Sequence, residues 1–102
     1  MILFIDTTDF NSVTFGLAGK KTRAQSYKID SHESHLTLSK LDKFLKGNKI
    51  KSASIKKIVV NKGPGSFTGV RIGVVMAQAL GFAWDIPIKT LAKDKFEIIL
   101  SK

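Results

Sequence analysis

Apolar residues along this chain first alternate with polar ones and later recur every three to four positions, the change expected where strands give way to helices. Ile2 to Asp6 is a short apolar run that reads as a strand. Asp9-Phe10-Asn11 reads as a turn, and from Ser12 to Leu17 the alternation puts Val13, Phe15 and Leu17 on one face of a second strand. Gly19-Lys20-Lys21 is another turn, and a third strand runs from Arg23 to Ile29. A first helix is expected from Asp30 or Ser31, where Asp30 and Glu33 have capping-box spacing, to about Leu45. Leu38, Leu41 and Leu45 share one face of it, and Gly47 is a natural stop.

Ile58 to Asn61 makes a fourth strand and Phe67 to Trp84 a second helix. Asp85 to Pro87 ends that helix before a fifth strand around Ile86 to Leu91, and Asp94 to Leu100 reads as a short final helix. The order β-β-β-α-β-α-β followed by a helical end predicts one α/β domain, a mixed sheet of five strands with helices packed against it. At 102 residues the chain is long enough for a single core with little margin.

In the second helix, Gly69, Gly73, Ala77 and Gly81 fall four apart and leave a stripe nearly free of side chains. Each glycine costs a helix about 0.5–1 kcal/mol relative to alanine, so the stripe calls for compensating contacts. Such a stripe admits another helix closer than the usual ~8–10 Å between axes. Arg71 and Gln78 share a face with Val75 and Phe82 beside them, and most other positions are apolar, so burial on more than one side is expected. Two explanations are open. The first helix and the sheet cover it, or a partner chain packs there with Arg71 at the rim.

Composition then narrows the classes. Without cysteine there is neither a disulfide nor a thiolate metal site, which suits a cytoplasmic setting. The first segment lacks a basic leader and a cleavage site, and Arg71 and Gln78 interrupt the best apolar run, so no membrane span is expected. A formal net charge of +9 favours contact with polyanions, RNA or an acidic protein face. The lysines are densest from Lys40 to Lys62 and no aromatic residues interleave with them, so any RNA contact is expected to be non-specific.

The densest chemistry lies in Lys62 to Gly73, KGPGSFTGVRIG. Gly63-Pro64-Gly65 makes a stiff turn after the fourth strand, and Ser66 or Thr68 can cap the helix that follows. That arrangement suits close backbone approach or anion capture, but its spacing matches no standard nucleotide loop. His32 and His35 stand three apart with Glu33 between them; without a clear third ligand they read as helix-capping residues rather than a metal pair. Asp6, Thr7 and Thr8 close the first strand, where an aspartate can cap local amides.

GPGSFTGVRIG closely resembles the signature of the TsaB family, and ILFIDTTDFNSVTFGL resembles that family's opening strand pair. The Ile86-Pro87 approach to the last strand is a supporting match; Glu33-Ser34-His35-Leu36 departs from the family's His-Ser-leucine run. The resemblance covers nearly the whole chain but only the N-terminal half of a usual member, so 1–102 is read as one TsaB-like N-terminal domain lacking the second. It implies one subdomain of the actin, sugar-kinase and heat-shock ATPase superfold. There Asp6, Thr7 and Thr8 would be a vestige of the phosphate-binding hairpin, and Gly63, Pro64, Gly65, Ser66 and Thr68 the signature turn. It also implies a non-catalytic scaffold in threonylcarbamoyladenosine modification of tRNA position 37, pairing with a TsaD-like enzyme or with itself. Gly69, Arg71, Gly73, Val75, Ala77, Gln78, Gly81 and Phe82 would carry that pairing. ATP and metal would be bound by partner enzymes, no cofactor by this chain, and tRNA indirectly or by weak contact; recruitment of a TsaE-like ATPase stays open. The rival readings are a small ATPase or metal-dependent hydrolase completed by self-association, using Asp6 and the histidines, and a truncated remnant or piece of a longer protein.

Overall fold

Five strands form one mixed sheet in the computed structural model, which describes residues 1–9, 11–29 and 35–100. They are β1 (Ile2–Asp6), β2 (Ser12–Ala18), β3 (Thr22–Lys28), β4 (Lys57–Asn61) and β5 (Ile88–Leu91), in the spatial order β3-β2-β1-β4-β5. The two short hairpins make β1, β2 and β3 antiparallel, with Phe4 opposite Gly16 and Phe15 opposite Gln25. Helical crossovers make β1, β4 and β5 parallel, with Ile2 opposite Lys57 and Ile58 opposite Ile88. The expected mixed five-strand sheet is therefore present.

Helices α1 (Thr37–Gly47) and α2 (Phe67–Trp84) cover one face of the sheet and α3 (Lys93–Leu100) part of the other. Alternation along β1 explains the division: Leu3 and Ile5 enter the main core with Phe15, Leu17, Ile58 and Val60, while Phe4 turns to the far side. Leu41, Phe44 and Leu45 of α1 and Ala77 of α2 close the main core. On the far side Phe96 meets Phe4 edge to face, ring centroids 5.7 Å apart. Gly16 admits α3 there, since a Cβ on it would lie 2.6 Å from Leu100 Cδ2.

Several details differ from the sequence reading. The helix α1 starts at Thr37, with Leu36 at the cap position and no side-chain cap; Asp30, Ser31 and Glu33 lie outside the described residues, as does Phe10. Its buried face is Thr37, Leu41, Phe44 and Leu45, and Leu38 is 55% exposed. Phe44 sits on the opposite flank of Leu41 from Leu38, and rolling the helix to bury the ring turns Leu38 outward. A 3-10 turn at Ser52–Ser54, which no periodicity announces, leads into β4.

The bounds of α2 match the expectation, but its environment does not. Only 17% of its positions are buried, which corrects the expected burial on more than one side. With a mean hydropathy of 1.3 over 18 residues it is also long and apolar enough to cross a membrane, a correction to the expected absence of such a run. Arg71 and Gln78 do not offset the surrounding Val, Ile, Leu, Phe and Ala. Here the helix packs one side on the sheet and leaves the other to solvent.

Candidate functional site

At the end of the sheet where the parallel strands finish, the chain ties β1, β4 and α2 into one hydrogen-bonded knot. Asn61 closes β4 with its side chain fully buried, and its Oδ1 accepts the Gly63 N–H at 2.9 Å. Gly63 then takes φ +96°, a left-handed angle that favours glycine. The Ser66 N–H donates to the Thr8 carbonyl at 2.8 Å, and Ser66 Oγ accepts from Gly69 N at 3.2 Å, so Ser66 rather than Thr68 caps α2. Thr68 and Pro64 are exposed. Gly65 lies against Thr8; any Cβ there would sit 2.6 Å from the Thr8 carbonyl oxygen.

Asp6, Thr7 and Thr8 join this knot. The Thr7 hydroxyl donates to the Gly69 carbonyl, and one Asp6 oxygen accepts both the Thr8 N–H at 2.9 Å and the Thr8 hydroxyl at 2.7 Å. Thr7 and Thr8 are buried, 3% and 4% exposed. These contacts fasten the helix start to the strand end and engage both threonine hydroxyls and one Asp6 oxygen within the protein. Asn61 Nδ2 is the exception, a buried amide donor with no protein partner among the described residues.

The small-residue stripe is used inside the domain. A Cβ on Gly69 would strike the Thr7 carbonyl oxygen and one on Gly73 the Thr7 hydroxyl. One on Gly81 would lie 2.6 Å from Ile88 Cγ2. Gly69, Gly73, Ala77 and Gly81 thus bring α2 close to its own sheet, a correction to their expected role in approaching a partner helix. The sequence showed the need for close approach but not which neighbour required it.

The opposite side of α2 carries the remaining expected contact residues. Phe82 is 92% exposed and Val75 62%, with Arg71 and Gln78 on the same face also exposed. Phe67, missed in the sequence reading, is 76% exposed and lies under the Arg71 guanidinium, 5.5 Å from centroid to Cζ. Its position opposite the glycine stripe was the available signal. Beside this face, α1 and α2 bound an open apolar groove lined by Leu38, Ile72, Val75 and Met76, continuing past Leu80 and Trp84. His35 borders it, while His32 lies outside the described residues. Among the described residues no three His, Asp or Glu side chains are grouped to hold a metal.

Residues 28–92 match the family model described as TsaD, tRNA N6-adenosine threonylcarbamoyltransferase. Along 88 residues the chain is 33% identical to the tRNA threonylcarbamoyladenosine biosynthesis protein TsaB of Haemophilus influenzae. The chain belongs to the TsaD-related family as a TsaB-like member. That match covers 85% of the chain and 37% of the Haemophilus protein. A shorter match, 58% identical over 38 residues, links the TsaB-like chain to the protein of the same description in Bacillus subtilis, covering 37% of the chain and 17% of that protein. The solved structure of YeaZ from Pseudomonas aeruginosa superposes with a TM-score of 0.79 at 24% identity, covering 89% of the chain and 43% of YeaZ. This likeness shows the fold, that of the actin-like ATPases. The TsaB-like chain spans less than half the length of these relatives.

Proposed function

We propose that this TsaB-like chain works in the biosynthesis of threonylcarbamoyladenosine in tRNA as a non-catalytic scaffold, docking a TsaD-like enzyme through the outward face of α2. The exposed row of Phe67, Val75 and Phe82 with Arg71 among them carries the reading. Burying a Phe or Val side chain fully is worth about 1.5–3 kcal/mol, and aromatic residues with Arg are enriched among the strongest contacts of interfaces. Leaving three such groups in water on one helix face is the pattern of an unfilled contact. The groove against α1 widens the contact area, and the names of the relatives support the tRNA-modification setting. In this reading the chemistry, and any ATP or metal it needs, belongs to the partner enzymes, and the complex is cytoplasmic.

The test is light scattering with size-exclusion chromatography, on the chain alone and mixed with the TsaD-like protein of the same organism. A one-to-one complex is expected, weakened about 100-fold or more by Phe82→Glu and Val75→Glu, roughly 2.7 kcal/mol. Both sites are exposed, so circular dichroism of the variants should match the parent. A complex indifferent to both substitutions rules out this face. Self-association without enzyme binding assigns the face to a second copy.

A further inference from the structure

The opposite end of the sheet, where β1 and β4 begin, gathers eight of the seventeen lysines and arginines of the chain. Strand register places the Lys20-Lys21 turn there, since Ala18 pairs with both Ile2 and Thr22. The descending helix α1 ends at the same level, so Lys46, Lys49 and Lys51 follow onto it, and Lys56 and Lys57 lead into β4. With Arg23 near the base of β3, eight basic side chains meet two carboxylates, Asp42 and Asp85, at this end. All eight are exposed except the half-exposed Lys57. Among the described residues only Lys46 has an ion-pair partner, Asp42 at 3.0 Å.

These segments form one surface. Arg23 Nη1 donates to Asn48 Oδ1 at 3.3 Å, tying the β2–β3 hairpin to the end of α1. The Met1 ammonium donates to the Ser54 carbonyl at 3.0 Å and the Lys56 N–H to the Met1 carbonyl at 2.8 Å, fastening the start of β1 to the loop before β4. Like charges held this way repel one another until a polyanion arrives.

We propose that this basic end of the sheet binds the phosphate backbone of a folded RNA. Lysine is depleted at protein interfaces, whose cores want aromatic or apolar anchors; among these basic segments Met1, 39% exposed, is the one large exposed hydrophobic of the described residues, while Phe82 stands nearby in the last turn of α2. Point charges on flexible stems, without stacking aromatics, suit phosphates rather than unstacked bases. The choice of RNA over another polyanion rests on the tRNA-modification reading above. The surface lies at the end of the fold opposite the signature turn and away from Phe67 at the start of α2.

The experiment titrates the chain, without any enzyme partner, into fluorescently labelled bulk bacterial tRNA across a series of KCl concentrations. Lys20→Gln, Lys21→Gln and Lys51→Gln together should weaken binding at least tenfold and reduce the slope of log K against log salt by about two to three, near 0.9 for each phosphate no longer neutralised. Lys62→Gln, Lys89→Gln and Lys95→Gln together remove the same charge elsewhere and should leave most of the affinity. Equal loss in both triple variants, or no loss in the first, overturns the proposal. So does competition by polyglutamate of matched charge as effective as unlabelled tRNA, which assigns the surface to an acidic protein. Pairing with the TsaD-like protein is measured separately on the same variants and should be unchanged. RNA binding without pairing sinks the scaffold reading alone, and pairing without RNA binding sinks this inference alone.

Discussion

Replacing Gly73 by alanine adds one methyl group to a helix, which in isolation is stabilising by about 1 kcal/mol. In this fold it should do the reverse. The new Cβ is directed at the Thr7 hydroxyl, which is buried and donates to the Gly69 carbonyl. Overpacking of this kind costs about 1–3 kcal/mol, and displacing the hydroxyl gives up a hydrogen bond of about 0.5–1.5 kcal/mol. Set against the propensity gain, the net loss is about 0.5–3.5 kcal/mol. Gly47→Ala is the matched control: it also lies in a helix, and a Cβ there meets nothing within 4 Å, so stability should hold or rise by up to ~1 kcal/mol. Urea unfolding followed by circular dichroism separates the two. A 2 kcal/mol loss moves the midpoint down by roughly 0.7–2 M at unchanged slope. If Gly73→Ala proves as stable as Gly47→Ala, α2 does not meet the sheet through this stripe. For the same reason a bulky residue at Gly73 tests folding and cannot serve as a probe of pairing.

Two further substitutions probe the knot and the thin side of the sheet. Asn61→Ala strands the buried Gly63 N–H and opens a void, and should cost about 2–4 kcal/mol by urea unfolding; a loss below ~1 kcal/mol would mean the Asn61 side chain is not what shapes the turn. Phe96→Ala removes the ring that meets Phe4 and should cost about 3–5 kcal/mol, with amides of α3 exchanging fastest; slow exchange throughout α3 would contradict its dependence on this contact.

The strands and α2 were legible because their signals are local. Val13, Phe15 and Leu17 alternate between the Asp9–Asn11 and Gly19–Lys21 turns, and Ser66 with Asp85 brackets a largely apolar helix. The start of α1 was harder to place, since the capping spacing at Asp30 and Glu33 competes with a later start that no side chain caps. Which side of α2 turns inward was not legible at all. The glycine stripe and the Phe67-Val75-Phe82 row each make sense against a partner, and only the crossover from β4, laying α2 over Thr7 and Ile88, decides between them. Likewise the lysines look scattered along the chain until strand register stacks the Lys20 turn beside the Lys49–Lys57 connection.

The outer strands of the sheet bear on how copies of this protein can meet. One border, β3, is seven residues with every side chain but Tyr27 exposed, and carries Arg23 and Lys28 near its two ends. The other, β5, is four residues with Lys89 within it. Short or charged borders resist strand-to-strand extension between molecules, the usual route to fibrous aggregation. Association is thereby channelled away from backbone ladders and toward side-chain surfaces, where a single substitution can tune or abolish it.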